Sequence, residues 1–255
     1  MASKTLLSWR PTTKSMKHIA LAALFLFFAT GCDTAKTLLG AIATDAGAGT
    51  LSDADIVAGL KEALTIGTQN GTSRLSAADG FFKDAAIKVL MPPEAKEVEN
   101  TLRNVGLGSV VDKAVLSMNR GAEDAAKSAA PIFMDAIKQM TITDALNILK
   151  GGDFAATNFF KQKTTAALTN AFKPVITASL AKVNATKYWG EVFNVYNRFS
   201  STPVNTDLSA YVTSKAIDGI FHEVGLEEQK IRKDPAAQVT DILKKVFGSS
   251  AAKGN

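Results

Sequence analysis

Phe154-Ala155-Ala156-Thr157-Asn158-Phe159-Phe160-Lys161-Gln162-Lys163-Thr164-Thr165-Ala166-Ala167-Leu168-Thr169-Asn170-Ala171-Phe172-Lys173-Pro174-Val175-Ile176-Thr177-Ala178-Ser179-Leu180 is the longest periodic stretch of the chain. Phe160, Thr164, Ala167, Leu168, Ala171, Phe172 and Val175 recur at three- and four-residue intervals. That spacing places them on one face of a helix. Pro174 lacks the amide proton a helix interior needs, so it is expected to kink or divide the stretch.

The same period extends in both directions. Upstream, Thr141 with Asp144 caps a short helix that Gly151-Gly152 ends. Ile132 to Met140, Ser109 to Lys127 and about Glu94 to Asn104 are further helices, with Gly106 and Gly108 breaking between the last two. Residues 77–93 are expected to be a loop with a short extended piece, stopped by Pro92-Pro93. Before them, Ser52 with Asp55 resembles a capping box, and Ile56, Leu60, Ala63 and Leu64 follow at helical spacing. This first helix is expected to end between Gly71 and Ser76.

Downstream, residues 186–199 hold the densest aromatic cluster, including Tyr188, Trp189, Phe193 and Tyr196. Asp207 begins a helix through Tyr211, Ile217, Ile220 and Phe221. Asp234 and Pro235 read as the N-cap and first position of a last helix, with Val239, Ile242, Leu243 and Val246 inward. Strand signals are nearly absent. The expected fold is all-α, a single irregular bundle of roughly eight to ten helices.

The amino terminus has another character. Ile19 to Ala29 is an unbroken run of 11 apolar residues, preceded by Lys14 and Lys17 and followed by Thr30, Gly31 and the sole cysteine, Cys32. A bilayer span needs about 20 residues, so the run suits the core of a signal peptide. The stretch resembles a bacterial lipoprotein signal with Cys32 lipidated, although Ala29 stands where Leu is usual. Met16 could equally be the true start. Four domains follow: a signal peptide at 1–31, a tether at 32–51, a helical domain at 52–248 and a disordered tail at 249–255. Asp33, directly after the anchor, favours the inner over the outer membrane, with the domain facing the periplasm.

Charge follows the same division. Lys4, Arg10, Lys14 and Lys17 lie before Cys32 with no acid, so 29 basic residues less 4 leaves 25 against 24 acidic ones. A mature chain near +1 offers no electrostatic case for nucleic acid. With Cys32 lipidated no disulfide is available, and the domain is held by its core.

Several separated segments share a pattern. They are Leu116-Ser117-Met118-Asn119-Arg120-Gly121-Ala122-Glu123-Asp124-Ala125-Ala126, Phe133 to Thr141, Phe159 to Thr164, Tyr211 to Phe221, and Ile231-Arg232-Lys233-Asp234-Pro235-Ala236-Ala237. Taken in order they resemble the bacterial domain of unknown function (DUF) 4197 family, over about residues 50–248. The resemblance implies a helical exported domain, often a lipoprotein. It implies no activity and carries over no functional residue.

Catalytic side chains are scarce. His18 leaves with the signal, His222 is the remaining histidine, and no free thiol is left. This removes a cysteine nucleophile and a His/Cys zinc cluster, and no cofactor or metal is expected. His222 reads as a surface residue, and no phosphate-binding glycine motif is present. Glu123, Asp124, Asp135, Glu227 and Glu228 are the carboxylates a hydrolase could use. Spacings such as Asp135 with Lys138 and Glu228 with Arg232 point instead to helix pairing. Asn119, Arg120 and Asp124 form a possible ligand or network site, with a buried hydrogen-bond network favoured over a bound carboxylate or phosphate. Tyr188, Trp189 and Tyr196 are favoured as core, and as partner surface if exposed. Two function classes remain: a membrane-anchored, non-enzymatic module binding a protein or lipid, and a carboxylate-dependent periplasmic hydrolase.

Overall fold

The computed structural model describes residues 51–198 and 203–249. The expected signal peptide, Cys32, Asp33, the tether up to Thr50 and the tail beyond Ser249 lie outside the described residues. Helix α1 (Asp53–Ser76) leads to a turn-rich segment and a single 3-10 turn (Pro93–Ala95). Then come α2 (Lys96–Asn104), α3 (Gly108–Ala126), α4 (Ala129–Gln139) and α5 (Ile142–Lys150). Helices α6 (Ala155–Ala181), α7 (Ala185–Tyr196) and α8 (Leu208–Lys233) follow, and a 3-10 turn (Pro235–Ala237) precedes α9 (Asp241–Gly248). No strand occurs among the described residues, and the fold is all-α.

Local chemistry sets most boundaries. Ser52–Asp55 and Thr141–Asp144 form complete reciprocal capping boxes, each satisfying two amides the helix cannot. Asp207 caps α8 by accepting from the Ala210 amide at 2.9 Å. Gly106 (φ +82°) makes the left-handed turn between α2 and α3 that an L side chain resists.

Helix α6 runs along α3, α4 and α8. Its buried residues include Phe160, Thr164, Leu168, Phe172, Ile176 and Leu180, a strict four-residue step. Four residues turn the helix by slightly more than one revolution, so this stripe winds round the surface and meets different partners along its length. The expected straight face is therefore corrected: Ala167 is exposed, and Ile176 and Leu180 carry the contact onward. Pro174 neither ends nor divides the helix. Pro174 and Asn170, whose carbonyl loses its partner, are both exposed to water.

Two other expectations shift, whereas residues 77–92 form a loop as expected, with turns before residue 88 and no strand. Helix α4 begins at Ala129, three residues early, because Pro131 sits in its first turn, where no amide partner is required. Asp234 caps only the 3-10 turn. Gln238 Nε2 donates to the Ile231 carbonyl at 3.1 Å, tying the chain back to α8, so α9 starts afresh at its N-cap Thr240. Val239 is consequently 64% exposed rather than inward, while Leu243 and Val246 are buried.

Candidate functional site

The Asn119–Arg120 pair organises a polar clamp on α3. Asn119 is fully buried. Its Oδ1 accepts from the Val89 amide at 2.9 Å, and its Nδ2 donates to the Val89 and Val115 carbonyls, each at 2.8 Å. One side chain thus stands in for a strand partner to a segment that has none. Glu123, also buried, accepts from the Phe81 and Phe82 amides at 3.2 Å. Arg120 links Glu123 to Asp79, whose φ of +70° is held in place by that contact and by Lys83. Glu123 first and Asp79 second raise the Arg120 guanidinium above its ordinary pKa. Lys83 and then Arg120 hold the Asp79 carboxyl below the usual range.

Asp124 is not part of this clamp. It points out of the network and pairs with Lys127 at 2.8 Å. The correction is one of helical register: Glu123 lies three residues from Arg120 on the loop side, and Asp124 is turned about 100° away.

Other expected carboxylates are likewise occupied. Glu228 reaches from α8 to the amino end of α6, accepting from the Ala156 and Thr157 amides and the Thr157 hydroxyl. This places a carboxylate at the positive end of a helix whose own N-cap, Phe154, has no capping side chain. Arg232 pairs with Glu228 and donates to the Ile148 carbonyl in the last turn of α5. Glu227 shares Arg74 with Glu223, a buried residue the sequence analysis passed over. Asp135 pairs with Lys138 at the surface, at 3.4 Å. His222 is exposed. Among the described residues no group of three or more His, Cys, Asp or Glu side chains could hold a metal ion.

Beside the clamp, along α3, lies a cavity of about 540 Å³ that Arg120 also lines. Met91 before α2, Val98 and Leu102 of α2, and Met118 of α3 form part of its wall. Trp189 and Phe193 of α7 form another part. Arg103 steadies the α2 side by bridging Glu99 and Asp112. The α7 side is fixed by the Trp189 indole, which donates to the Asn205 carbonyl at 2.9 Å and packs 4.3 Å from the Phe193 ring centre. Tyr188 also lines the cavity but is 56% exposed at its edge. Tyr196 is the last residue of α7.

The cavity brings Arg120, Asp124, Tyr188 and Trp189 to one place, although they were read as two separate features. It also adds Lys113, Ser179 and Lys182, which no motif marked, and Ser117, which lies in the 116–126 segment but was not singled out there. The signal available in sequence was slight. Ser117 shares a helical face with Ala114 and Gly121, where an apolar side chain would be expected.

An all-α domain with an apolar cavity between its helices, and with its most conspicuous polar motif holding a loop, is a class of fold without an implied chemistry. The chain belongs to the family described as protein of unknown function (DUF4197), whose model matches residues 50–248. No curated protein and no solved structure matches it.

Proposed function

We propose that this chain is a cell-envelope lipoprotein whose helical domain is a binding module, holding an apolar ligand in the cavity between α2, α3, α6 and α7. The cavity carries the reading. At about 540 Å³ it falls within the ~300–1,000 Å³ of small-molecule sites, and its walls are dominated by aliphatic and aromatic side chains. The polar residues that could have supported catalysis are instead engaged in caps, the loop clamp and ion pairs. The anchor rests on the apolar run Ile19–Ala29 followed by Cys32. No helix among the described residues is long and apolar enough to cross a membrane, so membrane attachment in this proposal runs through the lipid at Cys32. Asp33, directly after Cys32, supports attachment to the periplasmic face of the inner membrane in preference to the outer membrane.

Two measurements test the proposal. Mass spectrometry of the full-length protein is expected to find acyl chains at Cys32 that Cys32→Ser abolishes; an unmodified mature terminus elsewhere refutes the anchor. Organic extraction of the purified protein is expected to release an apolar molecule in stoichiometric amount. The cavity-filling variant Ala114→Trp should carry much less. Equal or negligible release from both refutes the cavity reading. Recovery with outer-membrane markers, unchanged by Asp33→Ser, refutes the inner-membrane placement alone.

A further inference from the structure

Four polar side chains line the cavity where α3 and α6 come together, besides Arg120 and Asp124: Lys113 and Ser117 on α3, Ser179 on α6 and Lys182 at the α6 C-cap. The helices approach closely here because α3 presents Gly121. A Cβ on that glycine would sit 3.3 Å from Ser179 Cβ. Ser117 lies one turn before Gly121, and Lys113 one turn before Ser117, so they share a stripe. Lys182 follows Ser179 at the same kind of spacing.

Ser117 and Ser179 are 7% and 8% exposed as residues, but neither hydroxyl oxygen is sealed off: among the described residues the one buried side-chain polar atom without a partner is Thr186 Oγ1. Both serines line the cavity, so their hydroxyls are open to whatever enters it and can donate a hydrogen bond there. Lys113 and Lys182 are exposed at the cavity edge and have no ion-pair partner among the described residues. The remaining charged lining residues are committed, Arg120 to Asp79 and Glu123, and Asp124 to Lys127. The site therefore offers four donors and two uncompensated positive charges beside an apolar space.

Size narrows the ligand. A methylene occupies about the volume of a water molecule, roughly 30 Å³, so the cavity holds about eighteen such groups. That is one long alkyl chain and not two.

We propose that the cavity binds the anion of a long-chain fatty acid, the chain lying against Leu102, Met118, Trp189 and Phe193, and the carboxylate meeting the Ser117 and Ser179 hydroxyls and the Lys113 and Lys182 ammonium groups. This rests on the apolar-ligand reading above and adds charge and chain number to it. Trp189 supplies the reporter. In the full chain carrying Trp9→Phe it is the sole indole, and stearate brominated at mid-chain quenches an indole it touches. Saturable quenching by brominated stearate is expected, with its methyl ester weaker by about tenfold or more, the effect of losing charge-assisted hydrogen bonds. Lys113→Gln with Lys182→Gln should bring the acid to the level of the ester and leave the ester unchanged. The retained ester binding then shows that the cavity is intact. An ester as tight as the acid, or unchanged acid binding in the double variant, overturns the fatty-acid anion while leaving an apolar-ligand cavity. Absence of saturable quenching by either compound overturns both. Where the double variant loses the ester as well, the wild-type comparison of acid with ester decides.

Discussion

Replacing Asn119 by alanine should destabilise the domain more than its size implies. The side chain makes three hydrogen bonds, two of them to the amide and carbonyl of Val89, in a region without access to water. Deleting it leaves two buried backbone groups unpaired, each costing about 1–3 kcal/mol. The Val115 carbonyl suffers less, because it lies within the α3 ladder. The sum is about 2–6 kcal/mol, and a water entering the vacated space would bring it toward the lower half. Set against a typical total of ~5–15 kcal/mol, that is a large loss. At about 2–4 °C per kcal/mol for a domain this size, the melting temperature should fall by roughly 4–24 °C, and by about 4–16 °C if a water fills the space. Urea unfolding of the full-length protein, followed by far-ultraviolet circular dichroism, measures the change. Asn119→Leu serves as the size control, since it fills the space yet leaves the same Val89 groups unpaired, and it should fall similarly. Asp124→Ala, which removes only an exposed pair with Lys127, should stay within about 0.5 kcal/mol. If Asn119→Ala costs less than 1 kcal/mol with an unchanged denaturant slope, the hydrogen bonds to Val89 are not what holds the loop.

Leu243→Ala in α9 should cost about 2–5 kcal/mol, because the residue is fully buried, whereas exposed Lys244→Ala should be nearly silent by thermal melting. Gly219→Ala should destabilise comparably despite its high helix propensity, since the new methyl would lie 2.5 Å from the Phe81 ring; Gly219→Ala combined with Phe81→Leu should recover part of the loss. The Asp207 carboxyl is held below its ordinary pKa by Lys173 first and the Ala210 amide second. Its folded pKa therefore lies below the unfolded one, so its contribution is present above the unfolded value of about 4 and disappears as pH falls through the folded value. Asp207→Asn, which still caps α8, should flatten the acid limb of a melting-temperature profile against pH; an unchanged limb would contradict this.

Helices were legible in the sequence wherever one partner face persisted over several turns. The capping boxes at Ser52 and Thr141 were legible too, because both partners are four residues apart or fewer. What escaped were features made by distant segments. The carboxylate that caps α6 lies on α8, more than seventy residues away, so Phe154 gave no hint of how its helix begins. Asp124 was preferred to Glu123 as Arg120's companion because spacing along a helix says nothing about which side the loop lies on. Lys113, Ser117, Ser179 and Lys182 are unremarkable singly, and only the crossing of α3 and α6 at Gly121 makes them neighbours. Family membership was readable from scattered motifs, whose polar members prove to be architectural at Asn119, Arg120, Glu123 and Arg232.

The clamp on residues 79–89 has a kinetic consequence. Without a helix or strand of its own, this segment obtains key hydrogen bonds from side chains 30 to 42 positions later in the chain. The Phe81, Phe82 and Val89 amides, whose acceptors are side chains of α3, cannot be protected before that helix has formed and docked, whereas amides such as Lys83 and Lys88 are bonded within the segment itself. In the native protein the Phe81 and Val89 amides should therefore exchange with deuterium through the same opening event, at rates set by release of the segment from Glu123 and Asn119. Amides at the middle of α3 are protected by that helix's own ladder and should exchange more slowly. The order of protection during refolding should follow the same hierarchy, with the α3 ladder first and the segment it holds afterwards.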